Sequence, residues 1–197
     1  MIIYDPETFT PVYIPGIGSV IVVGPDRVGK TTIVSLLSKI FGIPSFKCPT
    51  EKQIFKDGGR SSLVFDYNLT HFLKQTNYLF ISDRGYPCEW VYSRVFKRET
   101  DRPLLAMIDA NHAMLGTQIL YLYSSVPPIE EDDLVPAEKY WDVKNTYDEF
   151  AKATSCKVIA YDTAKMLKAY QEGGDISNEV ADEIAELLID VREEVLP

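Results

Sequence analysis

The chain has 197 residues, 46% of them hydrophobic and 25% charged, with a formal net charge of −9 at pH 7. That length suits one domain with a substantial core, and the acidic balance disfavours a broad nucleic-acid surface, which needs clustered Lys and Arg against phosphates. Cys48, Cys88 and Cys156 fit neither a disulfide framework nor a metal-ligand spacing, no apolar run reaches membrane-spanning length, and no basic-then-apolar leader opens the chain, so a reduced, cytoplasmic protein is expected.

Residues 1–18, rich in Pro and Gly around Tyr4, Phe9, Val12 and Tyr13, predict an irregular arm or small hairpin ahead of one domain over 19–197. The β-branched run 19–23 reads as a buried parallel strand. Gly24-Pro25-Asp26-Arg27-Val28-Gly29-Lys30-Thr31-Thr32 follows and fits G-x-x-x-x-G-K-[ST]. Behind it Ile33, Leu36, Leu37, Ile40 and Phe41 recur at helical spacing, with Gly42 placed as a C-cap. Strand, loop and helix give the pattern a mechanism. Glycines let the backbone turn its N–H groups inward on phosphate oxygens, and the helix N-terminus adds partial positive charge. In such a site Lys30 reaches the β- and γ-phosphates and the Thr31 hydroxyl holds Mg²⁺. The cofactors implied are ATP and Mg²⁺, with Gly24, Asp26, Arg27, Val28, Gly29, Lys30, Thr31 and Thr32 around the phosphates.

A second strand is predicted over 43–48, closed by Pro49-Thr50-Glu51-Lys52, and then a helix capped by Ser61 or Ser62 and running to about 76. A third strand over 78–82 ends in Asp83-Arg84-Gly85, helices cover 87–97 and 103–115, and a fourth strand spans 118–123. The acidic stretch Glu130, Glu131, Asp132 and Asp133 reads as an exposed loop before a helix over 136–153. A fifth strand over 157–161, a short helix ending at Gly173-Gly174, and a last helix with the stripe Val180, Ile184, Leu187, Leu188, Val191 and Val195 complete the chain. Alternating strands and helices predict a parallel sheet covered on both faces, with ligands at the strands' carboxyl ends. The loop at 24–32, Pro49 to Lys52 and Asp83-Arg84 all fall there.

Those motifs resemble the thymidylate kinases. An Asp-Arg pair inside the phosphate loop is a feature of that family, and Asp83-Arg84-Gly85-Tyr86-Pro87-Cys88-Glu89-Trp90-Val91-Tyr92 is similar to its D-R-Y-x-x-S-G-x-A-Y segment. Val126-Pro127-Pro128 resembles the end of the family's strand before its lid, and Tyr147 sits like the tyrosine of the helix after it. Gly85, Cys88 and Glu89 depart from the family's Tyr, Ser and Gly, and Lys52 stands one place later than the family's arginine. The resemblance implies a P-loop NTPase fold of the nucleotide monophosphate kinase type, a three-layer α/β/α arrangement with a five-stranded parallel sheet. It also implies a short lid at about 127–137, a small-molecule nucleotide acceptor and a homodimer; composition and charge add that no membrane and no broad nucleic-acid surface are expected as partners.

Each candidate residue has a physical role. A γ-phosphoryl group in transit needs its charge met by cations placed in advance. Lys30 and Arg27 supply two, and Arg27 is the candidate arginine finger because residues 127–137 contain no Arg or Lys. Asp26 either accepts from an acceptor sugar hydroxyl or caps the turn. Asp83 either helps hold Mg²⁺ with Thr31 or positions the acceptor, and Arg84 clamps an acceptor phosphate or forms a structural ion pair with Asp83. Lys52, Phe72, Tyr92 and Arg94 complete the candidate acceptor set, among the aromatics Phe46, Phe65, Tyr67 and Trp90. The expected activity is ATP-dependent phosphorylation of a deoxynucleoside monophosphate, dTMP or a close relative. The alternatives are a deoxynucleoside kinase, a kinase of modified bases in DNA, and a non-kinase ATP-binding switch.

Overall fold

The computed structural model describes residues 2–4, 11–13, 17–48, 60–126 and 137–189. Strands β1 (Ile2–Tyr4) and β2 (Pro11–Tyr13) pair antiparallel, which realises the small hairpin among the predicted arm's two options. The main sheet holds β3 (Val20–Val23), β4 (Ser45–Lys47), β5 (Ile81–Asp83), β6 (Gln118–Tyr123) and β7 (Lys157–Asp162). Its order is β4-β5-β3-β6-β7, and every pairing is parallel. The third strand is displaced from the predicted 78–82 because its register is set by β3, with Val20 opposite Ile81 and Val22 opposite Asp83. Tyr78 is left exposed before it.

Helices α1 (Lys30–Phe41), α6 (Ala164–Gln171) and α7 (Ser177–Ile189) cover one face. Helices α2 (Arg60–Thr76), α3 (Tyr86–Val95), α4 (Arg102–Met114) and α5 (Tyr140–Ala153) cover the other. The alternation of side chains along β3 explains the two cores. Val20 and Val22 meet Ile33, Leu37, Val180, Ile184 and Leu188 on one side. Ile21 and Val23 meet Leu63, Tyr86, Val91, Ile108 and Tyr147 on the other. All four β3 residues are buried, as a strand covered on both faces requires.

Three local expectations are corrected. Helix α2 already includes Arg60, so Ser61 and Ser62 lie inside it and do not cap it. Helix α3 stops at Val95, ahead of the predicted 97, because Lys97 turns into the left-handed region at φ 51°. Leu187 drops out of the α7 stripe, which Ala181 and Ala185 complete instead. Pro49 to Lys52, Asp57 to Gly59, the acidic residues 130–133 and Val191 and Val195 lie outside the described residues. Among the described residues no helix is long and apolar enough to cross a membrane.

Candidate active site

The central strand β3 delivers the loop to the carboxyl edge of the sheet, beside the end of β5. This is where the chain's crossovers diverge to either side of β3, and where a parallel sheet leaves a crevice. Gly24 turns at φ 144°, where a Cβ would stand 1.8 Å from the backbone oxygen of Leu122 in β6. Glycine is therefore required by close backbone approach as well as by conformation. Gly29, at φ 84°, precedes the first turn of α1. Arg27 sits exposed at the loop's tip, also with positive φ, at 62°. Backbone strain at a non-glycine residue is retained where the surrounding structure holds it, and such positions cluster at functional sites.

Lys30 is buried, and its ammonium donates to the carbonyl of Pro25 and lies 3.6 Å from Asp26 Oδ1. Burial lowers the Lys30 pKa, with Asp26 opposing that shift. Asp26 is the centre of a knot. The Arg84 guanidinium donates to its Oδ1, and the Tyr92 hydroxyl donates to its Oδ2 at 3.0 Å. Burial alone would raise the Asp26 pKa; the charges of Lys30 and Arg84 and the Tyr92 hydrogen bond outweigh it and hold the carboxyl below its ordinary range. The ion pair considered within Asp83-Arg84 is thus made across the cleft, from Arg84 to Asp26.

Thr31 Oγ1 donates to Asp83 Oδ2 at 2.6 Å. Asp83 is buried, and its Oδ1 finds no hydrogen-bond partner among the described residues. One hydroxyl and one carboxylate with an orphaned oxygen form a hard-oxygen donor pair at the strand end, the set that suits Mg²⁺ when phosphate oxygens and water complete its shell. No group of three or more His, Cys, Asp or Glu positioned for a metal occurs among the described residues, so a protein-only cage is not what this site offers.

Behind the knot, Tyr147 from α5 is fully buried, donates to Cys88 Sγ at 3.3 Å and stacks on Tyr121 at 5.4 Å. Its ring meets that of Tyr92 edge-on at 6.4 Å, so it fixes the tyrosine that touches Asp26. The tyrosine predicted on the helix after the lid does lie one layer behind the site.

Two predicted acceptor residues lie elsewhere. Phe72 is ten residues beyond Ser62 along α2, a rise of about 15 Å, and it packs on Tyr78 ahead of β5, half-exposed, at the opposite edge of the sheet. Arg94 is turned away from the loop and lies 3.4 Å over the Trp90 ring, donating to the Trp90 carbonyl. Phe46 and Phe65 pack on each other, Tyr67 packs on His71 and Trp90 packs on Phe150, which leaves Tyr92 as the aromatic of that set that touches the loop. Lys52 lies outside the described residues.

The sequence reading missed Asp66. It is buried on α2, its pKa is pushed up by burial to about 7, and its Oδ2 lies 3.5 Å from where a Gly85 Cβ would be. Cys48 Sγ donates to its other oxygen at 3.8 Å. The signal was the polar series Ser62, Asp66 and Thr70 at intervals of four along a helix, all three buried.

Sheet order, loop and helix together define the α/β fold of the P-loop kinases. Neither a family model nor a curated protein sequence matches the chain. Among solved structures, the chain is similar to the YorR protein of Bacillus subtilis in complex with phosphorylated GDP, at 20% identity and TM-score 0.64, over 90% of this chain and 99% of that one. It is also similar to shikimate kinase from Acinetobacter baumannii in complex with shikimate, at 14% identity and TM-score 0.54, over 90% and 96%. Thymidylate kinase from Candida albicans follows at 16% identity and TM-score 0.53, over 87% and 90%. At these identities the likeness is one of fold.

Proposed function

We propose that the chain is an ATP-dependent kinase that passes the γ-phosphoryl group to a deoxynucleoside monophosphate, dTMP or a close relative. The observation that carries this reading is the charge state of the knot. Asp26, the carboxylate nearest Arg84 and Tyr92, is held ionised by two cations and a phenol, which makes it a poor base. A hydroxyl acceptor must lose a proton as it attacks; a phosphate oxygen need not. The site therefore suits an acceptor whose attacking atom is already anionic.

In this reading an acceptor phosphate oxygen bonds to the γ-phosphorus as the bridge to the β-phosphate breaks, giving ADP and the acceptor diphosphate. Lys30 leaves Pro25 for the β- and γ-oxygens, and Arg27 reaches the transferring group from the loop's tip. Arg84 holds the acceptor phosphate, while Asp26 and Tyr92 face the acceptor sugar. Mg²⁺ held at Thr31 and Asp83 would neutralise phosphate charge. Positioning and prearranged charge do the catalysis, as phosphoryl transfer requires.

A second reading, a deoxynucleoside acceptor, draws on one observation: a guanidinium nitrogen of Arg84 is already committed to Asp26. A single panel separates the readings. ADP release from Mg-ATP is followed with deoxynucleosides, deoxynucleoside monophosphates and short DNA, and the products are identified by mass. The expected result is ADP and a diphosphate with a monophosphate acceptor, abolished in Lys30→Ala. Equal ADP release with every acceptor and with none overturns the kinase reading.

A further inference from the structure

Outside the loop, a pair of adjoining cavities lies on the outer side of α3, α4 and α5. One, of about 350 Å³, is walled by Trp90, Leu105, Ala106, Phe150 and Ala153. The other, of about 540 Å³, is lined by Ser93, Lys97, Arg98 and Thr100. Arg94 and Arg102 line both, so the cavities meet at two guanidinium groups. The first volume lies in the range of small-ligand pockets, and its mixture of apolar wall and a few charged groups is their usual lining.

The charges here are unbalanced. In a protein of net charge −9, Arg94, Lys97 and Arg102 gather around one opening, and none has an ion-pair partner among the described residues. Of the acids here, Glu99 lines the second cavity, Asp109 lines the first with its carboxylate accepting from the Tyr86 hydroxyl and the Ser155 N–H, and Glu149 acts on Arg94. Burial, and then the charge of Arg102, lower the Arg94 pKa, as expected of like charges held close together. The hydroxyl oxygen of Thr100, in the same wall, is buried without a hydrogen-bond partner among the described residues.

Lys97 holds its place at a conformational cost. The turn after α3 is closed by Arg98 N–H to the Ser93 carbonyl at 2.8 Å and Lys97 N–H to the Arg94 carbonyl at 3.2 Å. That is the helix-ending turn whose left-handed position glycine normally fills, and Lys97 adopts it at φ 51°. Glu89, buried in α3, anchors the same turn through Arg98 at 2.9 Å. The Arg94 guanidinium carbon stands 3.4 Å from the centroid of the Trp90 ring, which joins the charged and aromatic parts of the lining. This face is separate from the loop: Trp90 and Arg94 each stand two residues from Tyr92, about 200° around the helix, and it is Tyr92 that reaches Asp26.

We propose that these cavities form a second ligand site for a phosphorylated aromatic metabolite of the nucleoside polyphosphate class, with the ring against the apolar wall of Trp90, Leu105 and Ala106 and the phosphates among Arg94, Lys97 and Arg102. Ring and anion are both required by the lining. An apolar ligand leaves the guanidinium groups unmatched, and a bare anion leaves the apolar wall empty.

Calorimetry on the full chain tests this with ATP, dTTP and tripolyphosphate as probes. In Trp141→Phe the sole remaining tryptophan, Trp90, adds a fluorescence readout. The expected result is two nucleotides per chain, with the weaker event changing Trp90 emission and surviving in Lys30→Ala. The surface double variant Lys97→Gln/Arg102→Gln raises the Kd of that event at least tenfold and leaves loop binding intact, the effect of removing two charge-assisted contacts. One nucleotide per wild-type chain, or a second affinity unchanged in the double variant, overturns the site. Tripolyphosphate binding there as tightly as the nucleotides overturns the role given to the aromatic wall.

Discussion

Asp26→Asn tests the idea that the loop carries its own counter-ion. Lys30 is buried, and beyond the Pro25 carbonyl its charge is met by the Asp26 carboxylate at 3.6 Å. At an effective dielectric of about 20, that separation is worth on the order of 4 kcal/mol. Removing the negative charge leaves burial and Arg84, which lower the Lys30 pKa, opposed by the smaller influences of Cys88 and Asp83. The Lys30 titration therefore moves further down in the free enzyme. Once ATP is bound, the phosphates replace the lost carboxylate. Because kcat/KM reports the free enzyme and kcat the complex, the alkaline limb of kcat/KM for ATP shifts to lower pH in Asp26→Asn, while that of kcat stays in place. Initial rates across pH, with a thermal melt to confirm folding, measure this. An unmoved kcat/KM limb, or equal movement in both profiles, refutes the counter-ion argument.

Arg27→Ala lowers kcat by about 10³, the low end of the effect of an arginine finger, with ATP affinity kept; a single-turnover rate within tenfold of the parent refutes the role. Gly24→Ala places a Cβ 1.8 Å from the Leu122 backbone oxygen at φ 144°, and costs more than about 3 kcal/mol because β6 cannot withdraw without breaking its pairing with β3; urea unfolding within about 1 kcal/mol of the parent refutes it. A fourth prediction concerns stability and pH. His112 is buried, and burial lowers its pKa from 6.5 to about 4, so its contribution rises with pH between those values, by at most on the order of 3 kcal/mol. Burial raises the Asp66 pKa from 3.8 to about 7, so its contribution is complete below 3.8 and is lost as pH climbs through 7. The two slopes oppose each other in the parent; Asp66→Asn leaves the His112 slope alone, and urea midpoints that do not rise from pH 4 to 6.5 in that variant refute the pairing.

What the sequence made legible was local or periodic. The loop motif is nine consecutive residues, and Ile33, Leu37 and Phe41 mark the buried face of α1 at helical spacing. The parallel sheet covered on both faces followed from alternation of elements, though the position of β5 did not: Tyr78-Leu79-Phe80 has strand propensity, but pairing with β3 selects Ile81–Asp83. The site's two halves were visible and their junction was not. Asp26 and Arg84 are 58 positions apart, and nothing local tells a phosphate clamp from a partner for the loop's own carboxylate. Phe72 is suggested by position along a resemblance, and Arg94 by being a base that follows the Asp83-Arg84 motif at helical spacing. Helical rise carries Phe72 to the far edge of the sheet, and helical rotation turns Arg94 outward.

The departures from the thymidylate kinase pattern have structural counterparts, and these differ. Gly85 is extended at φ 173°, a conformation open to any residue, so its lack of a side chain is a matter of space: a Cβ would stand 3.0 Å from Ile21 Cγ2 and 3.5 Å from Asp66. Cys88 accepts the Tyr147 hydroxyl and so supports the aromatic layer behind Tyr92. Glu89 does something else. A glycine there would leave Arg98 without this carboxylate, whereas the buried Glu89–Arg98 pair ties the end of α3 back on itself and sets Lys97 beside Arg94 and Arg102. A buried ion pair is weak evidence for stability, since removing charges from water offsets much of its attraction. Its contribution here is to geometry, because it fixes the turn that lines the second cavity. Gly85 and Cys88 bear on the loop site, Glu89 on the basic opening, and one ten-residue helix, α3, carries parts of both.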